Sequence, residues 1–392
     1  MRIALKCIVF LFLASFAAKA EANSKQIVEE ILSLADVKIN GNRPSDIHVY
    51  DDRFYERVLK DGSLGLGESY MEGWWDAQAL DECMHKILSA DLEKKVKPTW
   101  GMLWSLVKAK LFNMQEKGGR SAKVIHEHYE LGDDLYETML GDTLAYTCAY
   151  WKNCSTLNEA QEKKFDLIAK KVGLKKGMRV LDLGCGWGGF ARHAAKHYGV
   201  EVVAVNLSAK QCAYAKKICQ GLPVEVRNHD YREVTGTFDR IVSIGLMEHV
   251  GYKNYRGFME LLQRCLKDDG LALVHTIGKD ITGVTADPWI SQYIFPNGHL
   301  PSIAQLGQAI EGLFVMEDWH NLSTHYDTTL TAWFNNFEKN WEKIKPKYPE
   351  PFFKMWKYYL LSCAAAFRAR NIQLWQVVLS KKGIPGGYES IR

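Results

Sequence analysis

Three things are missing from this chain of 392 residues, and each absence removes a class of protein. The first is an imbalance of charge. Fifty Lys and Arg against 46 Asp and Glu leave a formal net charge of +4, too little by itself to indicate a nucleic-acid partner. The second is any C-x-x-C pair. The 9 cysteines, an odd number and scattered singly, give neither a zinc spacing nor a disulfide framework, and they read as reduced, mostly buried thiols. The third is an apolar run of comfortable membrane-spanning length. The nearest approach lies at the amino terminus: Met1-Arg2 and Lys6 are basic, Cys7 to Ala18 is apolar, and Ala18-Lys19-Ala20 fits a small-residue cleavage site. Residues 1–20 therefore read as a signal-like or membrane-targeting segment. What remains, 47% hydrophobic and 24% charged, is ordinary for a globular protein, and the length calls for two domains.

The chain is organised around Val180-Leu181-Asp182-Leu183-Gly184-Cys185-Gly186-Trp187-Gly188-Gly189. Val180 to Leu183 read as a short buried strand, the glycines as a tight turn, and the residues from Phe190 as a helix whose Ala191, Ala194, Ala195 and Tyr198 share one face. Glycines here let backbone N–H groups approach a polar ligand that a Cβ would keep away. Gly184, Gly186 and Gly189 also satisfy G-x-G-x-x-G, the dinucleotide spacing. Asp182 just before the turn, and Asn206 rather than an acid after the next strand (Val202 to Val205), argue against a nicotinamide.

Around this turn strands and helices alternate: Glu201–Val205, Ala209–Cys219, Val224–Asn228, Phe238–Ile244, Tyr252–Leu266 and Leu271–Thr276. That rhythm predicts a Rossmann-like α/β domain over residues 121–392, a parallel sheet with helices on both faces and ligands beyond the carboxyl ends of its strands. The stretch from Asp287 to Asn335 reads as aromatic and loop-rich, with apolar walls suited to a greasy substrate. A helix (Phe352 to Arg368) and a strand (Gln373 to Ser380) close the sheet.

Residues 23–120 read as a smaller, mostly helical domain. A loop at Gly62 to Gly67 leads into a helix carrying Tyr70, Met71, Trp74 and Trp75. Trp100, Leu103, Trp104, Val107 and Leu111 fall on one helical face, and Lys94 to Arg120 contains seven Lys or Arg and one acid. A basic amphipathic helix with tryptophans on its apolar side suits a membrane interface, and docking against the second domain would leave the same pattern. Gly118-Gly119 reads as a linker. His126 and His128 lie two apart and do not share a helical face, so they make a poor metal pair.

The glycine-turn form Gly184-Cys185-Gly186-Trp187-Gly188-Gly189 resembles that of the cyclopropane fatty-acyl-phospholipid synthases, a family of S-adenosylmethionine-dependent methyltransferases. The resemblance runs from about Lys38 onward. It is carried also by Gly65-Leu66-Gly67-Glu68-Ser69-Tyr70-Met71, Glu127-His128-Tyr129, Tyr146-Thr147-Cys148-Ala149-Tyr150-Trp151, Tyr293-Ile294-Phe295-Pro296-Asn297-Gly298 and Gln373-Leu374-Trp375-Gln376.

The resemblance implies a class I methyltransferase fold. It places the cofactor against Tyr146, Thr147, Asp182, Gly184, Cys185, Gly186, Trp187, Gly188 and Gly189, with Asn206 and Gln211 at the ribose and His229 and Asp230 at the adenine edge. Asn206 departs from the family's usual Thr, and an amide can still pair with a hydroxyl. It implies a bound bicarbonate as base, held by Cys148, Glu248, His275, Tyr326 and the backbone of Ile277. Methyl transfer to an alkene leaves a carbocation, for which the faces of Trp289 and Tyr293 are candidates. Cys363 matches a cysteine long carried in the family as a candidate nucleophile; on a small-residue helix face it reads better as an inert thiol.

The expected activity is addition of a methylene to the cis double bond of phospholipid acyl chains, on a bilayer, by a homodimer. The cofactor is made in the cytosol, so the expected location is the inner membrane's cytoplasmic face, with export or a misassigned start left open by residues 1–20. The rivals are a same-fold enzyme giving a methyl-branched chain, a non-catalytic lipid-binding protein and a dinucleotide oxidoreductase.

Overall fold

The computed structural model describes residues 24–95, 132–283 and 286–392. The amino-terminal segment, the Trp100–Leu111 face, Gly118-Gly119 and His126 to Tyr129 lie outside the described residues.

The centre is a seven-stranded sheet in the order β5-β4-β3-β6-β7-β9-β8. Its strands are β3 (Arg179–Leu183), β4 (Glu201–Asn206), β5 (Val224–Asn228), β6 (Phe238–Ile244), β7 (Leu266–Gly278), β8 (Val315–Asn321) and β9 (Gln373–Ser380). β3 to β7 pair in parallel, and β9 runs antiparallel to both β7 and β8. The Val-, Leu- and Ala-rich runs of β3 and β4 are what a sheet covered on both faces requires. One apolar layer joins Leu181, Val203 and Ile241 to Phe258 and Leu262, and the opposite layer joins Val180, Val202 and Val242 to Phe165, Ile168 and Ala194.

Four helices matter most for the site: Leu157–Lys171, Gly189–Tyr198, Ser323–Ile344 and Phe352–Arg368. The first starts with a capping box, Thr156 with Glu159, that satisfies two orphan backbone donors.

Two parts of the fold differ from the sequence expectation. The stretch 287–335 is not loop-rich: it holds helices Pro288–Tyr293 and Ile303–Ile310, then β8 and the start of the Ser323–Ile344 helix. The capping box Ser302/Gln305 marks one of these starts and was there to be read. Likewise, Gly65 and Gly67 are not in a loop but inside a helix, Ser63–Met71, and the two tryptophans fall beyond it. A Cβ on Gly65 would sit 2.4 Å from the Arg57 carbonyl oxygen, and one on Gly67 2.4 Å from Trp289 Cδ1. These glycines permit close packing, which outweighs their poor helix propensity. Trp75 instead pairs in a two-stranded ribbon, β2 (Trp75–Asp76) against β1 (His48–Val49).

The early helices do not stand apart. Val28, Phe54, Tyr70 and Trp75 share one apolar cluster with Trp289, Trp333, Trp356 and Leu374. Arg368 ties the layers together, pairing with Asp81, Glu82 and Asp327 at 2.5–3.0 Å. No helix among the described residues is long and apolar enough to cross a membrane.

Candidate active site

The glycine turn forms where β3 ends, at the carboxyl edge of the sheet. Its glycines serve different needs. Gly186 has φ +54 with nothing within 4 Å of where a Cβ would stand, so its backbone faces open space. Gly188 (φ +86) would place a Cβ 2.8 Å from Ala215 Cβ, and Gly189 would place one 2.8 Å from the Thr143 carbonyl oxygen. The turn is thus pressed into the protein on one side and bare on the other, the shape of a cradle for a ligand.

One pocket gathers Tyr146, Thr147, Asp182, Gly184, Cys185, Gly186, Trp187, Gly189, Asn206 and Gln211. Gly188 packs behind it, and His229 and Asp230 are outside its lining. Asp230 is engaged by Arg232, accepting from its backbone N and its guanidinium. Asn206 donates to Gln211 Oε1 at 2.6 Å and accepts from the Leu207 amide at 2.9 Å, which fixes both side chains toward the turn.

Sequence reasoning missed Lys164, which lines the same pocket and is wholly buried. Its ammonium donates to Thr147 Oγ1 at 2.9 Å and sits 4.2 Å from the Phe165 ring centroid. Burial pulls it down to about 7, against the attraction of nearby Cys148, Asp182 and Glu162. Burial also pushes Asp182 up to about 7, with Lys164 opposing. Asp182 Oδ2 has no hydrogen-bond partner. Desolvation outweighs the mutual attraction for both groups. The signal was available: Lys164 falls four residues after Ala160 and four before Ile168, on the apolar stripe of its helix. Gln161, one turn earlier, holds the wall by donating to the Ala145 and Thr147 carbonyls at 3.2 and 2.9 Å. His249, also in the lining, is held down to about 4 by burial and is therefore neutral.

Next to this pocket the ends of β6 and β7 present a second group. Gly245 touches Thr147, since a Cβ there would lie 2.6 Å from Thr147 Cγ2. The following short helix, Met247–Val250, carries Glu248, whose Oε1 accepts from the Ile277 amide at 2.7 Å. Burial pushes Glu248 up to about 7, and its Oε2 is buried without a partner. His275, two residues before Ile277 on β7, is buried and held well below its usual value, again by desolvation. Gln376 Nε2 lies 3.3 Å from His275 Nδ1, and with the amide in this orientation Nδ1 accepts and the proton stands on Nε2. That Nε2 is buried and unpartnered. An N–H donor and a carboxyl oxygen, both unmet, therefore stand on adjacent elements.

Cys148 is buried, its thiol donates to the Ala149 carbonyl at 3.2 Å, and desolvation drives it well above the ordinary thiol range. Its segment is bound to the helix of Tyr326, because the Ala149 amide donates to Thr329 Oγ1 at 3.1 Å. Tyr326 stacks on Phe367 at 4.5 Å and meets Trp333 edge-on at 5.9 Å. Trp333 continues to Tyr146 (5.2 Å), and Phe295 joins Tyr146 (6.5 Å) to Tyr359 (5.9 Å). Tyr146 and Tyr359 also share a hydrogen bond of 2.8 Å. Trp289 and Tyr293 do not belong to this wall: Trp289 packs on Gly67 and Tyr358, and Tyr293 donates to Glu68 at 2.8 Å. Cys363 lies one helical turn from Tyr359 with its thiol pushed up to about 12 by burial.

The family model for mycolic acid cyclopropane synthetase matches residues 116–377. The cyclopropane-fatty-acyl-phospholipid synthase of Escherichia coli strain K12 is 49% identical over 370 residues, covering 94% of this chain and 96% of that protein. The chain belongs to the cyclopropane synthetase family. Among solved structures, the cyclopropane synthase MmaA2 from Mycobacterium tuberculosis superposes with a TM-score of 0.63 at 31% identity, covering 66% of this chain and 98% of that one. The mycolic acid cyclopropane synthase CmaA1 complexed with SAH and CTAB gives 0.62 at 32% identity, with 66% and 98% covered. The chain is an S-adenosylmethionine-dependent methyltransferase acting on lipid. Its pocket fits the cofactor: bare backbone at Gly186, polar Asn206 and Gln211 beside it, and the unmet carboxyl oxygen of Asp182 within the lining.

Proposed function

We propose that this protein adds a methylene across the cis double bond of an unsaturated phospholipid acyl chain, with bicarbonate as the base that closes the ring. The observation that carries the reading is that Glu248 Oε2 and His275 Nε2 are both buried without a partner, one on the Met247–Val250 helix and the other on the β7 strand it packs against. Bound S-adenosylmethionine supplies an electrophilic methyl. The chain's own task is then to align the alkene with it and to exclude water. A positive charge on the acyl chain would be costly in an apolar tunnel, and the faces of Tyr146, Phe295, Trp333 and Tyr359 supply the matching quadrupoles.

Glu248 and His275 would hold a bicarbonate, whose chemistry there is that of a base for the proton lost on ring closure. The neutral His275 would donate through Nε2 to its oxyanion, and Glu248 Oε2 would accept from its hydroxyl. Cys148, Tyr326 and the backbone of Ile277 complete the set by resemblance; the Ile277 amide is already engaged by Glu248, so its contribution depends on sharing that bond. His229 and Asp230 are proposed for the adenine edge. Residues 23–120 are proposed as a lipid-facing domain, and the protein as a homodimer peripheral to the inner membrane.

The test is untagged protein with S-adenosylmethionine and vesicles of cis-monounsaturated phospholipid, read by mass spectrometry of the released fatty acids. The expected product gains one CH2 and survives mild hydrogenation, and its rate falls in decarbonated buffer and recovers when bicarbonate is returned. A product that takes up hydrogen to a saturated branched chain would replace the ring by a methyl-branched reading. Turnover indifferent to bicarbonate would remove the proposed base, and silence would leave a lipid-binding protein.

A further inference from the structure

We infer that the outer face of helices Leu157–Lys171 and Gly189–Tyr198 forms a site for a first-row divalent transition metal of the zinc class, built from His193, His197 and Glu162. The two histidines lie one turn apart on the second helix, and Glu162 reaches them from the first. One ligand atom from each falls within 4.8 Å of the others, and the imidazole centroids are 4.7 Å apart. His193 is only 8% exposed. Its Nδ1 sits 2.6 Å from Glu162 Oε2, while its Nε2 is buried with no hydrogen-bond partner. A buried ring nitrogen without a partner carries a desolvation cost that a bound cation would remove.

The donor set defines the ligand. Two imidazoles and a carboxylate suit zinc, nickel or copper, whereas magnesium and calcium favour all-oxygen shells. Metal–ligand bonds of about 2.1 Å require donor atoms somewhat over 3 Å apart, so the group must draw together by about 1 Å. Glu162 and His197, both exposed, have the freedom to do so. Asp166 stands beside them in the same surface depression, its carboxylate taken up by Tyr198 and Lys170.

The location gives the metal a structural meaning. The inward face of the first helix carries Gln161, Lys164 and Phe165, which hold the cofactor pocket, and the second helix begins at Gly189 in contact with Phe165. A cation on the outer face would pin together the two helices whose inner faces shape that pocket, without touching the reacting atoms.

The experiment uses untagged, chelator-stripped full-length protein titrated with zinc chloride by calorimetry, with cobalt(II) absorption as a report of nitrogen ligation. One equivalent should bind, and Tm should rise as zinc is added. His197→Ala and Glu162→Gln should each weaken binding by at least about tenfold, while metal-free Tm stays at the parent's value. Failure of the parent to bind overturns the inference. So does binding by both variants with the parent's affinity, which would move the metal to other side chains; a normal metal-free Tm shows that a loss of binding in either variant is not a loss of fold.

Discussion

Replacing Glu248 by glutamine should make the protein more stable in alkaline solution and nearly inactive, and the two effects have one cause. The carboxyl is buried, with Oε1 accepting from the Ile277 amide at 2.7 Å and Oε2 unpartnered, and burial lifts it from 4.5 to about 7. A folded-state value above the unfolded one means that the native state binds this proton more tightly. The favourable contribution is complete below about pH 4.5 and is lost as pH rises through about 7. The rise from 4.5 to about 7 corresponds to a loss of about 3 kcal/mol above pH 8. Glutamine does not titrate, keeps the volume, and can still accept from Ile277. Glu248→Gln should therefore match the parent near pH 4.5 and exceed it by up to about 3 kcal/mol near pH 8, read by urea denaturation at both values. Turnover should fall by roughly 10²–10⁴, the range for a lost acid–base group, with S-adenosylhomocysteine affinity within about twofold. A parent that gains stability relative to the variant between those pH values would refute the burial argument. Unchanged turnover would refute the role in holding the base.

Cys363→Ala should keep turnover within about twofold in the vesicle assay, because a thiol at about 12 holds almost no thiolate at neutral pH. Gly67→Ala should cost about 1–3 kcal/mol in denaturant, since its Cβ would fall 2.4 Å from Trp289 Cδ1 and the buried indole has nowhere to retreat. Lys164→Met removes the donor to Thr147 and the cation that opposes the rise of Asp182; calorimetry should show S-adenosylhomocysteine binding weakened by about tenfold or more.

What the sequence made legible follows from how local each constraint is. The turn from Gly184 to Gly189 could be read directly, because positive φ and close backbone approach leave few residues to choose from. The strand rhythm from β3 to β7 was equally plain, since a doubly covered sheet writes apolar runs into the chain. Lys164 escaped because a lysine on a helix is ordinarily solvated; its place on the apolar stripe signals burial, but the groups it meets, Thr147, Cys148 and Asp182, come from elsewhere in the chain. Aromatic residues escaped for a related reason. Apolar area fixes that a ring will be buried but not against which element, so Trp289 and Tyr293 could be assigned to the reacting cation when their contacts are with Gly67, Tyr358 and Glu68. Those contacts carry a consequence for catalysis. Phe295, in the wall beside Tyr146, follows the Pro288–Tyr293 helix by two residues, and that helix is fastened to the early Ser63–Met71 helix through Gly67 and Glu68. A displacement of the Ser63–Met71 helix would therefore reach the Tyr146–Phe295 wall through Trp289 and Tyr293, so these two residues bear on the reaction through the wall they position.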